Sequence, residues 1–143
     1  MKHRHHAGFT LVELLATLAI AALLLSLALP SYRQQVLRAN RSVAWQSLQR
    51  FAALQEVYYL REGQYAATLE ALRGATAQDR APPSRDNLYT ISLVSHGDGT
   101  AWLLQATAVG SQQTDQLCAT LSVDHLGSKT ATTATGDATD GCW

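Results

Sequence analysis

The residues with chemistry to explain begin at Gly8-Phe9-Thr10-Leu11-Val12-Glu13, where a single carboxylate interrupts an otherwise apolar run. A carboxylate inside a membrane-length helix costs about 2.5–3.5 kcal/mol on insertion scales, so Glu13 calls for a cation. No Lys or Arg lies within a helical turn of it in the same chain. Cys118 and Cys142 are the two cysteines, too few for a structural zinc site or a dense disulfide scaffold. His3, His5 and His6 have ligand chemistry, and Asp137 and Asp140 share a Thr/Gly-rich loop of the kind that can hold calcium. Two carboxylates in such a loop are ordinarily just solvated. Arg33, Arg38, Arg41 and Arg50 follow one another with no acidic residue between Glu13 and Glu56. At about 100° per residue they scatter around a helix, with Arg38 and Arg41 the only close neighbours. Nucleic-acid binding needs one basic face, so solvation or contact with acidic groups of a partner is the expected role. There is no nucleophile–base pattern, Gly-rich phosphate loop or metal-ligand spacing. The chain is therefore expected to be no enzyme and to need no cofactor or metal.

The elements that must position these residues start with the apolar run itself. Phe9 to Leu29 contains one ionisable group, Glu13. As a helix it is roughly 31 Å long, enough to cross a hydrocarbon core of ~30 Å. A short polar leader with Lys2 and Arg4 precedes it, and Pro30 follows, where the missing backbone donor is expected to kink or interrupt the helix. A secretory signal peptide is one reading, since Ser26-Leu27-Ala28 loosely fits the small-x-small cleavage rule. The acidic residue and the length of the run speak against it. A plain single-span anchor is another, its orientation left ambiguous by basic residues on both sides. Neither explains the glycine just before the run together with the carboxylate just inside it.

That combination resembles the class III signal of type IV pilins and related pseudopilins. The resemblance implies cleavage by prepilin peptidase between Gly8 and Phe9, with Phe9 becoming the N-methylated first residue. The histidines then belong to a discarded leader. Cleavage also creates a positive amine on Phe9, which a neighbouring subunit can present to Glu13. Such a pair in apolar surroundings would fix the axial register of adjacent helices. For an isolated protomer, snorkelling of Glu13 to the membrane surface is the alternative reading; in an assembled filament the pair is expected.

From Ser31 to about Arg61 the chain lacks Gly and Pro, and Leu37, Ala44, Leu48, Phe51 and Tyr58 recur at helical spacings. Trp45, Ala52 and Tyr59 widen the stripe, and core packing is the expected role of these aromatics. One long helix is predicted, apolar all round over 9–30 and amphipathic over 31–62. Gly63 is a plausible C-cap. A connecting segment over 63–87 follows, with a short helix at Thr68–Arg73 and a Pro-Pro loop; its residues around Tyr58-Tyr59, Gly63 and Tyr65 are similar to those of many minor pilins. Strand signals run over 88–95, 101–109 and 117–124, with a turn at Asp98-Gly99. Hairpin neighbours give an antiparallel sheet, and the amphipathic half of the helix is the available cover for one face.

The fold class is thus α+β, a long N-terminal helix packed on a small antiparallel head, as in type IV pilins. The ending from Leu117 to Trp143, with its Cys-Trp terminus, is most like that of the PilE-type minor pilins. Pilins pin a carboxy-terminal loop with a disulfide, which here implies Cys118–Cys142; two unpaired buried cysteines are the alternative. The implied function is that of a minor pilus subunit acting in assembly or initiation, and so in twitching motility, adhesion and surface attachment. Its implied partners are other major and minor pilins, prepilin peptidase, the inner-membrane assembly platform and, before assembly, the membrane. The single-pass chain would keep its N-terminus cytoplasmic and its head periplasmic, then reach the cell surface in the pilus. Without Lys2 and Arg4, nine basic residues face eleven acidic ones, a net charge of −2. Two alternatives are a pseudopilin of a type II secretion system and a DNA-uptake or adhesive pilin. The latter should expose a basic or aromatic surface on its head, which has few cations beyond Arg80, Arg85 and Lys129. Nucleic acid is accordingly not expected as a partner.

Overall fold

A computed structural model describes residues 10–73, 88–96 and 98–143. Gly8 and Phe9, the leader histidines, Arg80 and Arg85 lie outside the described residues. The chain divides into two compact units, Met1–Val36 and Leu37–Trp143. A single helix, α1 (Leu11–Glu62), belongs to both.

In the first unit the described large apolar side chains of α1 are exposed, among them Leu11, Val12, Leu18, Ile20, Leu24 and Leu29. The helix is long and apolar enough to cross a membrane. Three hydroxyls in or beside its apolar run bond to nearby backbone. Thr10 Oγ1 accepts from the Glu13 amide at 3.2 Å, while Thr17 and Ser26 donate to carbonyls three residues earlier. Backbone and hydroxyl groups satisfied within the segment are what an apolar environment demands. The helix continues through position 30 and is therefore not interrupted at Pro30.

In the second unit α1 lays Ala44, Leu48, Phe51 and Gln55 into the core, a 4-3-4 spacing that keeps one face inward. The helix ends at Gly63, whose positive φ of 72° and amide bond to the Tyr59 carbonyl form a left-handed cap. The short helix α2 (Leu69–Arg73) then drops Leu72 into the core. Gln55 locks this connection in place: its amide donates to the Ala66 carbonyl at 3.0 Å and accepts from the Ala66 amide at 2.8 Å.

Four strands follow, β1 (Tyr89–Ser95), β2 (Trp102–Ala108), β3 (Thr120–Asp124) and β4 (Lys129–Thr132). They form an antiparallel meander in sequence order, with Leu93 opposite Leu104, Ala106 opposite Leu121, and Leu121 opposite Ala131. Trp102, Leu104, Ala106 and Ala108 alternate inward from β2 and, with Leu121, Val123 and Ala131, complete the core around the helix residues. The β1–β2 turn closes on Asp98, which accepts from the Thr100 amide and hydroxyl. Gly99 has φ 70°, and a Cβ there would meet Gln64 Cβ at 3.1 Å. Its carbonyl takes the Tyr65 amide, tying the turn to the connection after α1.

The sheet has one strand more than the sequence signals predict. Lys129-Thr130-Ala131-Thr132 pairs with β3 at the edge, where a short polar strand with a lysine needs no apolar alternation. The polar segment before β3 forms a 3-10 turn, Gly110–Thr114. The aromatics of α1 divide. Phe51 is core and Tyr58 packs against it, but Tyr59 stays largely exposed, its ring 4.7 Å from that of Tyr65. Trp45 lies at a cleft described below.

Candidate functional site

Among the residues singled out from sequence, Glu13 sits in the first turn of α1 and has no ion pair among the described residues. Cys118 and Cys142 are joined, with Cα atoms 5.7 Å apart and both residues buried. The bond closes a loop containing β3, β4 and the residues after them. That loop is further pinned by amide bonds from Thr139 to the Ala131 carbonyl and from Ala134 to the Gln116 carbonyl. Asp137 is held within the same loop, accepting from the Thr135 hydroxyl at 2.7 Å while its amide bonds Thr133.

A polar cluster fastens the helix to the 3-10 turn. Arg41 and Asp115 form a two-point ion pair, with Nε to Oδ2 at 2.7 Å and the second guanidinium nitrogen to Oδ1 at 2.8 Å. Their side chains are only 12% and 3% exposed. Gln112, fully buried beside them, donates to Asp115 Oδ2 and to the Leu37 carbonyl, and accepts from Asn40 at 2.9 Å. Burial, then the Asp115 charge, pushes the Tyr89 phenol up to about 12, while a Gln112 hydrogen bond and Arg41 act in the opposite direction. These partners lie more than seventy residues apart in sequence, so helical spacing alone could not reveal them. Arg41 is neither merely solvated nor reserved for a partner. It is committed within its own fold.

Next to this pair the surface opens into a cleft of about 400 Å³ lined by Arg38, Ser42, Trp45, Lys129 and Trp143, with Arg41 and Gly141-Cys142 completing its walls. Lys129 Nζ lies 3.8 Å over the Trp45 ring and 5.6 Å from the centre of Trp143. The two indoles meet edge to face at 5.2 Å. The arrangement holds a cation between aromatic faces, a favourable contact on the order of 0.5–2 kcal/mol. Arg38 has no acidic partner among the described residues. The cleft unites residues from α1, β4 and the chain after the disulfide, which is why counting cations in helix and head separately missed it.

Comparison with known proteins places these features. A family model described as "Type IV minor pilin ComP, DNA uptake sequence receptor" matches residues 30–122, and one described as "Prokaryotic N-terminal methylation motif" matches residues 3–29. The chain is 26% identical over 118 residues to "Type IV wide pilus major component PilA4" of Thermus thermophilus, covering 78% of this chain and 90% of that protein. It is also similar to the solved "High-Resolution Structure of a Type IV Pilin from Shewanella oneidensis", with 27% identity and a TM-score of 0.51 over 75% of this chain and 97% of that one. Pilins are structural subunits that assemble with other pilins, and the methylation motif is the substrate site of their processing peptidase. With its apolar helix, its four-stranded antiparallel head and its Cys118–Cys142 bond, this chain belongs to the type IV pilin family.

Proposed function

We propose that the chain is a minor subunit of the type IV pilus, acting in filament assembly or initiation. The observation that carries the reading is the set of exposed apolar side chains of α1 between Leu11 and Leu29, a stretch whose one ionisable group is Glu13. Such a surface must be covered by lipid before assembly and by other helices after it. Prepilin peptidase cuts between Gly8 and Phe9, and the methylated Phe9 amine of one subunit meets Glu13 of another. Residues 9–30 form the anchor and later the filament core, residues 31–62 carry the head, and Pro30 gives the helix a local bend between them. The head, residues 63–143, faces the periplasm while the N-terminus is cytoplasmic. The assembly platform of the inner membrane extracts the subunit into the filament. Deletion of the gene tests the reading: surface filaments should fall sharply while the abundant pilin accumulates in the membrane. Normal piliation with a block in protein secretion would instead indicate a secretion pseudopilin.

A second reading, a DNA-receptor pilin, is favoured by the description of the matching family model and by the cationic, aromatic cleft. Its cations are gathered in one pocket rather than along a stripe that could follow a phosphate backbone. Fluorescence anisotropy with labelled duplex DNA and the detergent-solubilised mature chain tests it. Salt-sensitive binding lost in Lys129→Ala would support it, and no binding at low salt would refute it.

A further inference from the structure

We propose that the cleft between α1 and the disulfide-closed loop binds an acidic sugar residue, such as a uronate unit of an extracellular polysaccharide. The proposal needs only an exposed head and does not rest on the subunit's role in assembly.

Three properties lead to that ligand. The first is size and shape. A concave volume of about 400 Å³ lies within the range of small-ligand pockets, ~300–1,000 Å³. Sequence readout of duplex DNA needs a protruding helix or ribbon, and single-strand binding needs successive stacking platforms along a groove. The second is charge. Arg41 is neutralised by Asp115, but Arg38 and Lys129 are not matched by an acidic group among the described residues. In a processed chain of net charge −2, this is a local positive site. Lys129 is already held over Trp45, so little side-chain freedom remains to be lost when an anion arrives. The third is a flat apolar surface. Trp143 is 45% exposed, and an indole face fits the C–H face of a pyranose ring. The Ser42 hydroxyl, which donates to the Ala39 carbonyl at 2.6 Å, leaves its lone pairs for a sugar hydroxyl. A carboxylate on a sugar ring uses all three properties together; a bare anion uses one, and a neutral sugar lacks the charge contact.

The test is tryptophan emission of the mature full-length chain in detergent, titrated with an oligogalacturonate, a neutral gluco-oligosaccharide of equal length, inorganic phosphate and a short single-stranded oligonucleotide. Trp45 and Trp143 line the cleft and should report occupancy, whereas Trp102 is buried in the core. The expected result is a saturable change with the oligogalacturonate and affinity at least about tenfold weaker for the neutral sugar and for phosphate. Arg38→Ala removes an exposed side chain without disturbing the core, and it should weaken oligogalacturonate binding several-fold. Lys129→Arg should bind better than Lys129→Ala. Equal binding of the neutral sugar, equal binding of phosphate, tighter binding of the oligonucleotide, or no saturable change would each overturn the proposal.

Discussion

Replacing Arg41 with Met keeps most of the side chain's packing and removes its charge, leaving the Asp115 carboxylate 3% exposed without its two-point partner. Breaking a buried pair by removing one member costs about 3–5 kcal/mol, because the remaining charge is desolvated and unpaired. The lower figure applies, since Arg41 is itself 12% exposed and Gln112 still donates to Asp115. At roughly 4 °C per kcal/mol for a unit of this size, the head should melt about 12 °C lower. Helicity is a poor reporter, because the apolar half of α1 stays helical in detergent. Tryptophan emission follows the head unit alone, since Trp45, Trp102 and Trp143 all lie in Leu37–Trp143. The double variant Arg41→Met/Asp115→Leu removes both charges and should recover at least about half of the loss. A shift below about 2 °C for Arg41→Met would refute the reasoning, since the pair would then be worth no more than an exposed one.

Cys142→Ser opens a loop with a sequence separation of 24, which the chain-entropy relation puts at about 3.5 kcal/mol; limited proteolysis of the head should become markedly faster than in the parent. Tyr89 keeps its proton more tightly in the fold than in the unfolded chain, being raised from 10.0 to about 12. Its contribution of about 2–3 kcal/mol is therefore complete below pH 10 and lost as pH rises from 10 to 12, and Tyr89→Phe should flatten this alkaline fall in denaturant melts. Glu13→Leu should leave cleavage largely intact but block incorporation, and normal amounts of the variant in sheared filaments would sink the register argument.

Much of this architecture is legible in the sequence because it is local. The unbroken run to Glu62, the cap at Gly63 and the Asp98-Gly99 turn each depend on neighbours a few residues away. The disulfide follows from a family likeness and is present as expected. What escaped is non-local or polar. β4 has one buried apolar residue, Ala131, and so no alternation to detect. Gln55 and Gln112 are buried because each satisfies backbone or side-chain partners across the fold, which a hydrophobic stripe cannot show. Arg38 and Arg41 are visible as neighbours on a bare helix, but a bare helix does not show that the fold brings Lys129 beside them and supplies Asp115 to one of the two. The head itself has few cations, and the cleft becomes cationic because Lys129 of the head meets Arg38 of the helix beside the indoles of Trp45 and Trp143.

The central claim is that the chain is processed and built into a filament as a minor subunit. Quantitative mass spectrometry of filaments sheared from the native host tests it most directly, through the amino-terminal peptide. The account predicts a methylated peptide beginning at Phe9, at trace stoichiometry beside an abundant pilin. A chain beginning near Leu29, or a methylated form retained entirely in the membrane, would contradict it.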